Sequence, residues 1–245
     1  FVGSYEASRK PTRYLELVTC DHIVSLSMMA LTGATNAFVL KDLLTTLKVF
    51  CPMASKDLWD TVTAIRYFQG AHNIVLMYSD NAGEIIRACA ELKILHESSR
   101  PGVPQSNANI ERTNLDILEG TRTTLMHAGF PECFWAFAAP HYCFNDNTDH
   151  LDIHGNPLPD GRPWFRAKGS ESKVQRLPFG CAVLFFPSPT KTADKPAKWE
   201  GTAIAGVVAG YKMKPGYTWE GEYYVGSLSE MITVNLQDDV KEFSN

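Results

Sequence analysis

The chain has 245 residues, of which 44% are hydrophobic and 20% charged, and its formal net charge is −4. This composition excludes a wholly disordered chain, and the length suits one large domain or a medium domain followed by a small one. The negative net charge gives no overall sign of nucleic-acid binding, although residues 161–200 carry eight Lys or Arg against three Asp or Glu.

Cysteine spacing and the length of the apolar runs exclude further classes. The six cysteines contain no C-x-x-C pair and lie mostly inside apolar runs, which favours buried free thiols over a disulfide framework or a zinc site. No apolar run approaches the roughly 18 residues that a membrane span needs, so no membrane partner is expected. The first residues resemble no targeting segment, and the chain is expected to be a fragment of a longer polypeptide.

Hydrophobic periodicity predicts alternating strands and helices up to residue 147. The predicted elements are a strand within 13–27, two strands within 36–53, a helix at 55–70, a strand at 73–79, a helix at 83–92, a strand at 93–97, a loop at 100–109, and helices at 110–127 and 130–147. Three consecutive strands predict an antiparallel meander. The near-continuous apolar run at 73–79 is typical of a central strand covered on both faces, and Ser55 is the predicted N-cap of the first helix.

The chain changes character after residue 147. Residues 148–173 are polar and rich in Gly and Pro, which indicates a linker. Short strand-like runs then follow (LPFGCAVLFFP, TAIAGVVAGYK, GEYYVGSL and MITVNL), and they predict a small β-barrel. The predicted domains are therefore 13–147, an α/β domain, and 174–236, a small all-β domain.

Three carboxylates lie on separate predicted elements and suggest a metal site. Asp21 interrupts the first strand, Asp80 ends the strand at 73–79, and Glu111 begins the long helix. Three such acids can hold two divalent cations of the kind used for displacement at phosphorus. Oxygen ligands of this type suit Mg²⁺ or Mn²⁺.

Each acid also has a simpler explanation. Asp21 can be an edge-strand acid or part of a local salt bridge, Asp80 can belong to a turn that follows its strand, and Glu111 can complement a helix dipole. A Cys/His hydrolase at Cys20 and His22 is disfavoured, because alternate strand residues share a face while their neighbour Asp21 points away. Spacing alone leaves the two-metal site and these simpler explanations open.

Two sequence blocks resemble the integrase core of copia-type LTR retrotransposons. Residues 79–84 read S-D-N-A-G-E, where the family has roughly S-D-N-G-G-E. Residues 101–112 read P-G-V-P-Q-S-N-A-N-I-E-R, similar to the family's P-x-x-P-Q-x-N-G-V-A-E-R. Three further elements of the family follow at 121–135, namely T-R-T-x-L, A-G-x-P and F-W. The run from about residue 174 is similar to the SH3-like barrel that follows the integrase core in this family.

This resemblance implies a fold and a chemistry. The fold is an α/β, RNase H-like mixed five-stranded sheet flanked by helices, followed by a small SH3-like barrel. Asp21, Asp80 and Glu111 would be catalytic and would bind two Mg²⁺ or Mn²⁺ ions. The reaction would be DNA 3′-end processing and strand transfer.

The resemblance also implies partners and a location. The expected partners are the DNA ends of the element, the target DNA and further copies of the chain in a homo-oligomer. Gln105, Asn107 and Arg112 are the predicted DNA contacts. The expected location is a cytoplasmic particle and then the nucleus. Thirty residues separate Asp80 from Glu111, fewer than is usual in the family. A catalytically inactive, nucleic-acid-binding remnant and another RNase H-like nuclease are the alternatives.

Overall fold

The computed structural model describes residues 10–24, 28–98, 108–148, 162–186 and 201–233. The strands and helices are β1 (Leu17–Ile23), β2 (Asn36–Asp42), β3 (Lys48–Met53), α1 (Leu58–Gln69), β4 (Leu76–Ser79), α2 (Gly83–Leu92), β5 (Leu95–Ser98), α3 (Ala108–Ala128), α4 (Trp135–Thr148), α5 (Pro163–Lys168), β6 (Ala182–Phe185), β7 (Ile204–Lys214), β8 (Thr218–Ser227) and α6 (Leu228–Thr233). A short 3₁₀ turn at Glu132–Phe134 precedes α4.

A mixed five-stranded sheet organises the first part of the chain. Its strands lie in the order β3-β2-β1-β4-β5. The pairs β1–β2 and β2–β3 are antiparallel, whereas β1–β4 and β4–β5 are parallel. This arrangement confirms the predicted meander and the predicted RNase H-like sheet, with β1 and β4 side by side at its centre.

Helices cover the sheet on both faces, as the alternating side chains of β2 show. Phe38 and Leu40 point into a core cluster shared with α1 and α2. Ala37 and Val39, which alternate with them, point into a second cluster built with α3 and α4. Because side chains alternate between the faces of a strand, a continuous apolar run is what a doubly covered sheet requires.

Two features of the predicted elements are corrected by the structure. The N-cap of α1 is Asp57 rather than Ser55, since the Asp57 side chain accepts a hydrogen bond from the Asp60 N–H. Ser55 instead donates its hydroxyl to the Asp60 carboxylate. The run MITVNL is not a strand at its start: residues 231–233 belong to α6.

The region predicted to be a linker contains a helix. Residues 163–168 form α5, which begins with Pro163 at its first turn and ends at Gly169 in the left-handed conformation. The Trp164 ring is only 8% exposed and packs against Phe144 of α4 and against Tyr217 in the turn before β8. A buried tryptophan therefore fastens part of this region to the protein core.

Side chains from α3 and α4 secure the free edge of the sheet at β3. The Asn147 amide accepts from the Lys48 main-chain N–H (3.0 Å) and donates to the Lys48 carbonyl (2.6 Å), as a neighbouring strand would. The Lys48 ammonium group forms ion pairs with Asp116 of α3 and Asp146 of α4. These contacts satisfy part of the unpaired edge, a surface that otherwise invites association with another chain.

The C-terminal strands form a second, antiparallel sheet in the order β6-β7-β8. This sheet packs on α4. The ring of Tyr211 lies parallel to that of His141, with 4.9 Å between ring centres, and the buried Tyr217 hydroxyl accepts a hydrogen bond from Asn147. Residues 187–200 lie outside the described part of the chain, so closure of the sheet into a barrel stays a prediction.

Two glycines allow the C-terminal sheet to approach α1 closely. Gly70, at the end of α1, has a positive φ of 59°, and a Cβ atom built on it would lie 2.4 Å from the Gly216 Cα. The Gly216 N–H donates to the Tyr67 carbonyl at 2.7 Å. Only glycine accommodates both the left-handed backbone and this contact at position 70.

Candidate active site

Asp21 lies near the end of β1, on the sheet face that α3 covers. Its Oδ2 accepts a hydrogen bond from the Asn114 amide of α3 at 2.9 Å. Burial and the negative charge of Asp80 raise the pKa of the Asp21 carboxyl from 3.8 to about 6, and Glu111 acts in the same direction. Negative charge is therefore concentrated around Asp21 at neutral pH.

Asp80 directly follows β4, the parallel neighbour of β1. The register pairs Thr19 with Tyr78, and two further residues along each strand bring Asp21 beside Asp80. The Asp80 Oδ1 accepts a hydrogen bond from the Ala82 N–H at 3.2 Å, at the start of α2. Asp80 thus makes the predicted turn contact and also supplies charge to Asp21, so the two interpretations are compatible.

Glu111 occupies the first turn of α3 and is exposed. It is close enough to influence the pKa of Asp21, and Asn114, one turn further along α3, makes the direct contact. Arg112 is exposed beside Glu111, whereas Gln105 and Asn107 lie outside the described residues. The structure thus links all three acidic positions electrostatically through Asp21.

The oxygen atoms around Asp21 fit a hard divalent cation. Within the described ranges, no three His, Cys, Asp or Glu side chains stand close enough together to enclose a metal ion. Mg²⁺, however, is usually held by one or two carboxylates and keeps several waters. The Asn114 Oδ1 is buried without a hydrogen-bond partner and could accept from such a water. A hydrated Mg²⁺ or Mn²⁺ would supply both the positive charge and the donors that this cluster lacks.

Asn114 is a residue of the site that the sequence did not predict. Its amide nitrogen holds Asp21, and its position three residues after Glu111 places both side chains on adjoining parts of one helix face. That spacing was the available signal. An Asn within a helix is, however, usually a solvent-exposed residue, and the signal acquires meaning only once α3 is known to cross β1.

The described basic side chains after residue 161 are largely engaged within the protein. Arg162 pairs with Glu171, and the Arg166 guanidinium donates to the Leu44 carbonyl at 2.6 Å. Lys212 and Lys214 of β7 both pair with Glu222 of β8. Of the eight Lys and Arg residues at 161–200, Arg162 and Arg166 are therefore engaged within the protein, and positions 191, 195 and 198 lie outside the described residues.

Comparison with known proteins identifies the relatives of the chain. No protein-family model matches it. The chain is 29% identical over 230 residues, or 86% of its length, to the Retrovirus-related Pol polyprotein from transposon TNT 1-94 of Nicotiana tabacum. Its homologues are retrotransposon Pol polyproteins.

Two further Pol polyproteins match a shorter part of the chain. The polyproteins from transposons RE1 and RE2 of Arabidopsis thaliana are each 32% identical, over 111 and 112 residues respectively, or 43% of the chain. The chain spans 16% of the tobacco Pol polyprotein and 7% of each Arabidopsis Pol polyprotein. It therefore corresponds to a small portion of these relatives.

One solved structure supports the fold. A chain of the cryo-EM structure of the simian T-cell lymphotropic virus intasome, in complex with PP2A regulatory subunit B56 gamma, matches 82% of this chain and 74% of its own length, with a TM-score of 0.52 and 13% identity. The catalytic core domain of BIV integrase matches 62% of this chain and 93% of its own length, with a TM-score of 0.46 and 16% identity. None of the helices in the described part of the chain is long and apolar enough to cross a membrane.

Proposed function

We propose that the chain is the catalytic region of a retrotransposon integrase, which carries out metal-dependent 3′-end processing of DNA and then strand transfer into target DNA. Homology to retrotransposon Pol polyproteins and an integrase-like fold support this assignment in general. The finer assignment depends on the chemistry of the site at the ends of β1 and β4.

One observation carries the proposal: the negative charge gathered at Asp21. A buried strand normally excludes charge, yet β1 carries the half-buried Asp21. Burial first, then the negative charge of Asp80 and, more weakly, that of Glu111 raise the pKa of its carboxyl to about 6. Concentrated carboxylates destabilise a fold unless a cation binds between them. Such an arrangement is expected where a protein uses divalent ions at a phosphate group.

The residues of the site have distinct proposed roles. Asp21, Asp80 and Glu111 would hold two Mg²⁺ or Mn²⁺ ions. When bound, the ions neutralise phosphate charge and activate the attacking water or DNA 3′-hydroxyl. Asn114 fixes the Asp21 carboxylate, and the Ala82 N–H fixes that of Asp80. Such prior orientation is where the protein contributes most to an in-line displacement.

The proposed partners follow from this reaction. They are the DNA ends of the element, the target DNA and further copies of the chain. Arg112, exposed beside Glu111, is the proposed DNA contact among the described residues. We place the reaction in the nucleus, after assembly in a cytoplasmic particle.

The direct test is strand transfer by the full-length integrase that contains this chain, with Mn²⁺ and matched terminal-repeat DNA. Asp80→Asn should abolish the reaction, because it removes a ligand charge but keeps an oxygen that can accept from Ala82. The matched control is Glu119→Gln. This variant changes an exposed acid about two turns after Glu111 on α3, and it should remain active. Circular dichroism would establish that both variants are folded. Full activity of Asp80→Asn would refute the mechanism.

A second candidate is an integrase-derived remnant that binds nucleic acid without catalysis. The observation in its favour is that no three metal-ligating side chains are gathered at one point among the described residues. Under this alternative the wild-type protein binds DNA, Mn²⁺ does not alter its stability, and neither cleavage nor joining occurs. Joining of DNA ends would also separate an integrase from a nuclease that only cuts.

A further inference from the structure

A hydrogen-bonded chain of two side chains ends on the main chain of Asp80. The Ser79 side chain is fully buried at the end of β4. Its Oγ lies 2.8 Å from the Asp80 carbonyl oxygen and 2.9 Å from Nε2 of His96, which belongs to β5. Ser79 pairs with Ser98 in the register of β4 and β5, so His96 reaches Ser79 diagonally across the two strands.

The direction of these hydrogen bonds follows from their donors and acceptors. A carbonyl oxygen only accepts, so the single hydroxyl proton of Ser79 must point at Asp80 for that contact to be a hydrogen bond. The Ser79 oxygen then accepts, and His96 Nε2 must carry a proton. The chain therefore runs from the His96 N–H to the Ser79 oxygen and from the Ser79 O–H to the Asp80 carbonyl.

This chain fixes the peptide group on which the Asp80 carboxylate depends. The Asp80 carbonyl belongs to the peptide that links Asp80 to Asn81, and the next amide along is that of Ala82. The Ala82 N–H in turn donates to Asp80 Oδ1 at 3.2 Å. Rotation of the Asp80 peptide would move the Ala82 amide away from the carboxylate, so the two contacts hold one turn from both sides.

We propose that Ser79 and His96 are positioning residues that set the Asp80 carboxylate in its metal-binding orientation. The inference rests on the proposed function, since it assigns a metal to Asp80. A buried hydroxyl with no further role would need only one hydrogen-bond partner. The Ser79 hydroxyl, which also interacts with the Cys20 thiol, makes two hydrogen bonds of defined direction. Its oxygen accepts from His96, and its proton is donated to the main chain of a proposed ligand residue.

The test compares Mn²⁺ binding and Mn²⁺-dependent strand transfer in the full-length integrase. Ser79→Ala and His96→Leu should each raise the Mn²⁺ concentration for half-maximal binding about tenfold, as loss of a residue that orients a metal ligand usually does. Binding is read from the electron paramagnetic resonance of free Mn²⁺, independently of activity. His96→Gln keeps an N–H donor near the position of Nε2 and should stay within about twofold of the wild type.

Two comparisons separate positioning from simple loss of stability. Strand transfer by Ser79→Ala should recover at saturating Mn²⁺, whereas a misfolded fraction would lower the maximum at every concentration. The double variant Ser79→Ala/His96→Leu should be no worse than either single one, because both interrupt the same chain. Ser98→Ala, which changes the exposed serine opposite Ser79, is the matched control and should bind Mn²⁺ normally.

The outcomes distinguish this inference from the proposed function. Unchanged Mn²⁺ binding in both Ser79→Ala and His96→Leu, with binding lost in Asp80→Asn, would overturn the positioning role alone. Unchanged binding in Asp80→Asn would overturn the proposed metal site and the positioning role together. Equal impairment of His96→Gln and His96→Leu would also contradict the inference, because it would show that the N–H donor is not what matters.

Discussion

The charge cluster at Asp21 predicts that one substitution in the candidate active site stabilises the protein. Asp21→Asn removes the charge while keeping a side-chain oxygen that can accept from Asn114. The ionised Asp21 of the wild type is half-buried and is repelled by Asp80 and Glu111. The neutral amide avoids both costs, so the free energy of unfolding should rise.

The size and the pH window of this effect follow from the pKa of Asp21. The pKa is about 6 in the folded state against an ordinary 3.8, so the folded chain binds the extra proton between these values. Wild-type stability therefore decreases as pH rises from about 4 to 6. The difference corresponds to about 3 kcal/mol, which we reduce to about 2 kcal/mol because solvent screens a half-buried carboxylate.

Urea unfolding in EDTA between pH 4 and pH 8 measures this quantity. Asp21→Asn should gain about 2 kcal/mol over the wild type at pH 7.5 and almost nothing at pH 4. Taking the difference between the two proteins cancels the titration of other groups. A variant that is equally stable or less stable at pH 7.5 would show that negative charge is not concentrated at this position.

Two further predictions concern residues away from the site. Lys48→Met should lower the free energy of unfolding by about 3 kcal/mol, since Asp116 and Asp146 lose their shared partner. The control, Lys56→Met, removes a surface ion pair and should lower it by less than about 1 kcal/mol. Equal losses for the two variants in urea unfolding would contradict this prediction. Burial lowers the pKa of His141 to about 4, so its contribution to stability is present above pH 6.5 and is lost as pH falls towards 4. His141→Phe should therefore weaken the acid dependence of unfolding over that range, and an unchanged dependence would contradict the assignment.

The sequence predicted elements well where the local pattern and the packing agree. Residues 83–92 form α2 as expected. The apolar residues recur at helical spacing and face the core, and the helix ends at Lys93, which has a left-handed backbone conformation. The strands of the meander were equally clear, since branched apolar residues alternate with breaks at the turns. Asp21 and Asp80 were predictable as a pair because a parallel neighbour to β1 follows from this order of elements.

Other features depend on contacts that no local pattern contains. Lys48 reads as an ordinary residue at the start of a strand, yet its partners lie 68 and 98 positions further along the chain. Residues 231–233 have strand-forming composition but continue α6, where Met231 packs against the core cluster that includes Val39 and Ile117. Ser79 and His96 stand near the predicted acid, but only the pairing of β4 with β5 brings them into contact.

The close packing of the C-terminal sheet has a mechanical consequence. Tyr217 is enclosed against α4, Tyr211 stacks on His141, and the glycine contact leaves no space at the end of α1. A hinge motion between the C-terminal sheet and the five-stranded sheet would expose these buried aromatic rings to water. The two sheets should therefore move as one rigid unit. Any long, curved ligand that spans both parts would have to adapt its own shape to this fixed angle.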